Sequence, residues 1–175
     1  MKLLLKFGAI FLFVTIGFAQ HKSENFTRKL YISEKKYSIL FPYNWYLQKS
    51  DSLGNKFMLL SEKSSANDNF IENISLLISD IGYSKIKSKR IKKIVDKRFG
   101  VSSEIISNRK VIKNGFEGQE IVYKQLMSNG VLATILQYYF IKERDLYILS
   151  FCSKSDEYLS YMPIFQSVYE NFDIR

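Results

Sequence analysis

VIKNGFEGQEIVYKQLMSNGVLATILQYYFIKERDLYILSFC, residues 111–152, decides the fold. Two Asn-Gly pairs, Asn114-Gly115 and Asn129-Gly130, each sit between runs of β-branched and aromatic residues. Asn and Gly accept positive φ at small cost, and two such residues in succession make the type I′ turn whose twist matches a hairpin. Lys142-Glu-Arg-Asp145 supplies a third, charged connection. The pattern predicts a four-stranded antiparallel meander over about 104–113, 116–127, 131–142 and 145–153. In its last two strands both alternating sets are largely apolar, with Ile135, Tyr139 and Ile141 on one side and Leu136, Tyr138 and Phe140 on the other. Such strands are expected to be covered on both faces.

Beyond the meander, Tyr158, Tyr161, Met162, Phe165, Val168, Tyr169 and Phe172 recur at helical spacing, behind Ser155, Asp156 and Glu157 at the favourable N-terminal end. Pro163 removes a backbone donor, so the pattern predicts a kink, or a fresh start with Pro163 in the first turn. On the N-terminal side, residues 28–32, 36–41, 45–48, 57–60 and 71–79 read as short strands separated by turn clusters, and 61–69 as a polar loop. Ile91, Ile94, Val95 and Phe99 fall on one helical stripe, which predicts a basic helix over about 87–99. Strands in runs and helices at separated places give an α+β domain: an α/β/α sandwich whose central antiparallel sheet, the meander, is flanked by helices.

The first residues carry a different message. Lys2 and Lys6 precede the apolar run Phe7–Phe18, and Gly17-Phe18-Ala19 offers small residues, so 1–19 reads as a secretory signal peptide cut after Ala19. A retained anchor is the alternative, but a spanning helix needs about 20 apolar residues. Residues 20–27 read as a flexible leader, and 28–175 as one domain. The product is expected in the periplasm or outside the cell. Cys152 is the sole cysteine, so no internal disulfide can form and stability must come from packing.

The formal net charge is +9. Between Lys85 and Arg98 eight Lys or Arg stand against the single Asp96, whereas the rest of the mature chain carries sixteen basic and sixteen acidic side chains. Lys85, Lys87, Lys89, Arg90, Lys92, Lys93 and Lys97 are therefore the candidate interaction patch. It reads either as a solvated helix face or as a contact for an acidic protein, an anionic lipid or a glycan surface. Export argues against nucleic acid, and Lys without interleaved Arg or exposed aromatics reads bases poorly.

Tyr37-Ser-Ile-Leu-Phe-Pro-Tyr-Asn-Trp45, with its strand and Pro-x-x-Trp, resembles the opening of the PsbP-like family. This α/β/α superfamily also contains a nuclear Ran-GTPase-binding factor and many bacterial secreted proteins. Asn73-Ile-Ser-Leu-Leu-Ile-Ser79 is similar to the family's second-sheet strand, and residues 139–151 and 162–172 to its final hairpin and last helix. The resemblance implies an accessory or assembly factor that binds another protein, with Pro42 and Trp45 as packing residues. Metal-assisted roles of some members need ligands that have no match here, since His21 in the leader is the only histidine. No metal or cofactor site is carried over.

Catalytic chemistry has little to stand on. A Ser-His or Cys-His pair needs a positioned base, and His21 lies in the leader. Glycine-rich phosphate loops and a nucleophile elbow are absent from the sequence. Glu62, Asp68, Glu72 and Asp80, near loop ends, are the carboxylates from which acid–base chemistry would have to be built. Scattered surface acids are the ordinary explanation of such a set. The sequence thus reads as a non-enzymatic binding domain, with a carboxylate enzyme as the remaining alternative.

Overall fold

In a computed structural model, residues 28–32, 35–49, 54–82 and 103–175 are described. The signal segment, the leader and the basic stretch 85–98 lie outside them. Among the described residues ten strands are present: β1 Arg28–Ile32, β2 Tyr37–Pro42, β3 Tyr46–Lys49, β4 Asn55–Leu60, β5 Asn73–Asp80, β6 Ser103–Lys113, β7 Phe116–Leu126, β8 Leu132–Lys142, β9 Asp145–Lys154 and β10 Asp173–Ile174. The helix α1 spans Tyr158–Glu170. The large sheet runs β3-β4-β5-β9-β8-β7-β6, and a small one runs β1-β2-β10.

The meander forms as the turn chemistry predicts, with every pair antiparallel. Asn114 and Gly115 both carry positive φ, 52° and 79°, as a type I′ turn requires. The second Asn-Gly behaves differently. Gly130 alone has positive φ, and its N–H bonds the Met127 carbonyl at 2.9 Å, while Asn129 Oδ1 accepts from the Val131 N–H at 3.2 Å. This loop is a turn closed by a left-handed glycine, longer than a two-residue connection. Both faces of β8 and β9 are buried, as their doubly apolar pattern predicts.

One face of the large sheet packs Phe57, Leu76, Leu136, Tyr138, Phe140, Leu149 and Phe151 against Phe165 and Val168 of α1 and against Tyr37, Ile39 and Phe41 of β2. The other face carries Ile121, Tyr123, Ala133, Ile135, Tyr139, Ile148 and Cys152, with Phe70 from the 61–72 loop beside them. This corrects the expected layering. Among the described residues the domain is dominated by sheet, with a single helix. Beside that helix the layer is completed by a strand, because β2 turns Tyr37, Ile39 and Phe41 inward. Asn73–Ser79 lies in the large sheet beside β9, a different sheet from the opening strand β2, and its Ile74 and Leu76 face the same core as Phe151 and Leu149 opposite them.

Pro163 starts no new helix. It sits inside α1, on its exposed face. The carbonyl that loses its donor belongs to Leu159, which is 80% exposed, so water can take the missing bond. Trp45 packs edge-on to Tyr161 at 6.2 Å, the packing role that the Pro-x-x-Trp resemblance implies.

Candidate functional site

The hairpin turn at Asn114-Gly115 sets the register of β6 on β7 and places Arg109 opposite Glu120. Glu120 is buried, and its two carboxylate oxygens accept from Arg109 Nε at 2.6 Å and Nη2 at 2.9 Å. Tyr138 stands opposite Glu120 across β7 and β8. Arg109 spends only one edge of its guanidinium on this bond, and its side chain stays 70% exposed. The outer edge, Nη1 with the second hydrogen of Nη2, therefore faces solvent from a fixed position.

This pair forms one wall of a cleft of about 380 Å³ between α1 and β6–β8. The floor is Val122, Leu136 and Tyr138; Tyr158, Met162, Phe165, Gln166, Tyr169 and Glu170 of α1 close the other side. The aromatic part is built by stacking: Tyr138 on Tyr169 at 4.0 Å, Tyr138 on Phe165 at 5.9 Å, and Phe165 on Phe151 at 4.9 Å. Lys113 Nζ lies 4.7 Å from the Tyr169 ring centre and donates to the Glu170 carbonyl at 3.2 Å, tying β6 to the end of α1. Gln166 Nε2 donates to Glu170 Oε1 at 3.0 Å.

The electrostatics keep the cleft's phenols in their neutral form. Burial, with the neighbouring Glu120 carboxylate adding, raises the Tyr138 hydroxyl far above the ordinary tyrosine range. Burial together with the Glu120 charge pushes Tyr158 up to about 12 and raises Tyr169. The Glu120 bond likewise raises Arg109, which stays charged. A general base works best with a pKa near the working pH. The cleft's phenols are instead fixed as neutral donors around one compensated charge.

The sequence-derived candidates fare unevenly. Lys85, Lys87, Lys89, Arg90, Lys92, Lys93 and Lys97 lie outside the described residues. The four carboxylates do not gather. Asp68 accepts from Lys154 Nζ at 2.8 Å, from the Ser64 N–H and hydroxyl, and from the Phe70 N–H. Those donors, Lys154 first, hold its carboxyl well below the usual range and raise Lys154 in return. Glu72 is buried and accepts from the Ser61 hydroxyl at 3.1 Å, while Asp80 pairs with Arg144 at the surface and Glu62 is exposed. Burial, with Glu72 adding, pushes the Cys152 thiol up to about 12, an unreactive thiol in the core. Among the described residues no three His, Cys, Asp or Glu side chains gather as metal ligands. Arg109 and Glu120 were not singled out by sequence reasoning, yet a signal existed: counting outward from the two-residue turn sets them face to face.

No family model and no curated protein sequence matches the chain. Solved structures do. Cyanobacterial PsbP (CyanoP) from Synechocystis sp. PCC 6803 aligns with a TM-score of 0.59 and 17% identity over 85% of this chain and 92% of its own. LpqN of Mycobacterium tuberculosis, involved in cell envelope biogenesis, aligns with a TM-score of 0.63 and 14% identity over 86% and 91%. A Pseudomonas aeruginosa protein of unknown function aligns with a TM-score of 0.58 and 8% identity over 85% and 97%. At these identities the likeness is one of fold, reached by residues that differ almost everywhere, and the chain has the PsbP-like fold that its opening and closing segments imply.

Proposed function

We propose that this is an exported, non-enzymatic accessory domain that holds another envelope or secreted protein. The observation that carries the reading is the Arg109–Glu120 pair at the cleft. A buried carboxylate fixes the guanidinium, and the guanidinium turns its free edge outward beside stacked tyrosines. Arginine and tyrosine are the residues that most often anchor protein interfaces, because each combines a large flat contact surface with directed hydrogen bonds. The neutral phenols favour contact over acid–base work. The signal-like N-terminus and the shared fold with LpqN, an envelope-biogenesis protein, support the compartment.

Chemical crosslinking in cells at native expression, followed by mass spectrometry, tests this. One recurrent protein partner, depleted about tenfold in Arg109→Ala, is the expected result. A partner set that does not change with Arg109, or the lack of any recurrent protein, would count against it.

A further inference from the structure

The cleft adjoins the free edge of the large sheet, and that edge is built selectively. Among the described residues β6 is hydrogen-bonded on one side only, to β7, and it has eleven residues where the opposite edge strand β3 has four. A long open edge templates pairing with other chains, and proteins usually blunt it with charges, bulges or shortness. β3 uses shortness. β6 instead carries Arg109, Lys110 and Lys113 in its second half, against the single Glu104, and an irregularity between Ile105 and Ser107. Its cations outnumber its one anion, so their excess charge disfavours a second copy of the same strand. They do not repel an acidic strand.

The two faces of this edge offer different contacts. Arg109 and Lys113 lie on the α1 side, bonded to Glu120 and set over Tyr169. Lys110 and Ile112 alternate to the other side, where Ile112 is 74% exposed. We propose that the partner is captured as an extended acidic segment that adds to β6 as a further strand. Its acidic side chains on the α1 side meet the outer edge of Arg109 and the Lys113 ammonium, and its apolar side chains on the other side lie beside Ile112. Main-chain bonds to β6 supply affinity, and the cationic and apolar rows supply the choice of partner. This inference rests on the protein-binding reading above and narrows it to one kind of partner.

Three synthetic peptides test it on the purified chain by fluorescence anisotropy: alternating Glu-Val, alternating Lys-Val, and Glu-Val N-methylated on alternate residues to remove ladder donors. The Glu-Val peptide binds at least about tenfold more tightly than either control, and weakens as salt is raised. Its binding slows amide exchange in β6 and leaves β3 unchanged. The Lys113→Glu variant, checked for a native circular dichroism spectrum, weakens the Glu-Val peptide and narrows its preference over Lys-Val. Equal affinity for the Glu and Lys peptides, no binding of the Glu peptide, or protection that falls on β3 overturns strand addition. If that happens while a crosslinked partner still depends on Arg109, the inference alone fails and the protein-binding reading stands.

Discussion

Among the described residues two ion pairs rest on buried carboxylates, and they are finished in opposite ways. Asp68 is 1% exposed and Lys154 19%, and every strong donor around Asp68 comes from the domain itself: Lys154, Ser64 and the Phe70 backbone. Lys154 also reaches Glu157 at 3.0 Å, at the start of α1. The pair is closed, and it ties the 61–72 loop to β9 and the helix. Glu120 is 6% exposed but Arg109 is 70% exposed, with half of its hydrogen-bonding edge unspent. A pair that serves only the fold has no need to hold a guanidinium edge out to solvent. The difference separates a staple from a presented group.

What fixes the open pair is the packing beneath it, so the strongest way to break the contrast is from below. Phe165→Ala removes a ring that is 1% exposed and stacked on both Phe151 and Tyr138, and should cost about 3–5 kcal/mol in chemical denaturation. The cleft loses its shape at the same time. Gly118→Ala comes next. A Cβ there would stand 2.5 Å from the Phe140 ring and 2.6 Å from the Tyr139 carbonyl, two residues along β7 from Glu120. Overpacking of this kind costs about 1–3 kcal/mol, read by the same unfolding curves.

The contrast itself is tested by removing one cation at a time. Lys154→Met takes the cation from a carboxylate that is 1% exposed, leaving it only its Ser64 and Phe70 bonds, and should lower Tm further than Arg109→Met does, because the vacated Arg109 position lets water reach Glu120. Arg109→Met should cost about 1 kcal/mol of stability while weakening partner capture about tenfold. Equal Tm losses would erase the distinction between staple and presented group.

The smallest effect is one of pH. The folded-state pKa of Asp68 is depressed, so its contribution to stability is present above the unfolded carboxyl value of about 4 and fades as pH falls below it. Thermal midpoints from pH 6 to pH 3 should fall more for the natural chain than for Asp68→Asn. Parallel curves would show that the Asp68 donors do not stabilise the fold.

The legibility of these features in the sequence follows their range along the chain. Asn114-Gly115 announced its hairpin because the turn chemistry is local, and the doubly apolar β8 and β9 announced their burial because alternation is local too. The α1 stripe was equally clear; of the two outcomes expected at Pro163 the fresh start does not occur, because whether an exposed carbonyl can do without its donor depends on tertiary placement. The Arg109–Glu120 pair was one step of register away from view. The insertion of β5 beside β9, and the bond from Asp68 to Lys154, join residues far apart in the chain, and no local pattern encodes them. Composition pointed to the Lys85–Arg98 segment, where charge is dense, whereas the site built by the described residues uses a single compensated pair.

On the proposed function the Arg109 side of the domain, and not the opposite edge, presents the contact surface. A photoreactive residue placed at Gln166, on the cleft rim, is compared in cells with one at Tyr46, on β3 and 68% exposed. Ultraviolet capture at native expression should give one recurrent protein adduct from position 166, absent from position 46 and lost on Arg109→Ala. The same adducts at both positions, or an adduct at 166 that survives Arg109→Ala, would contradict the account.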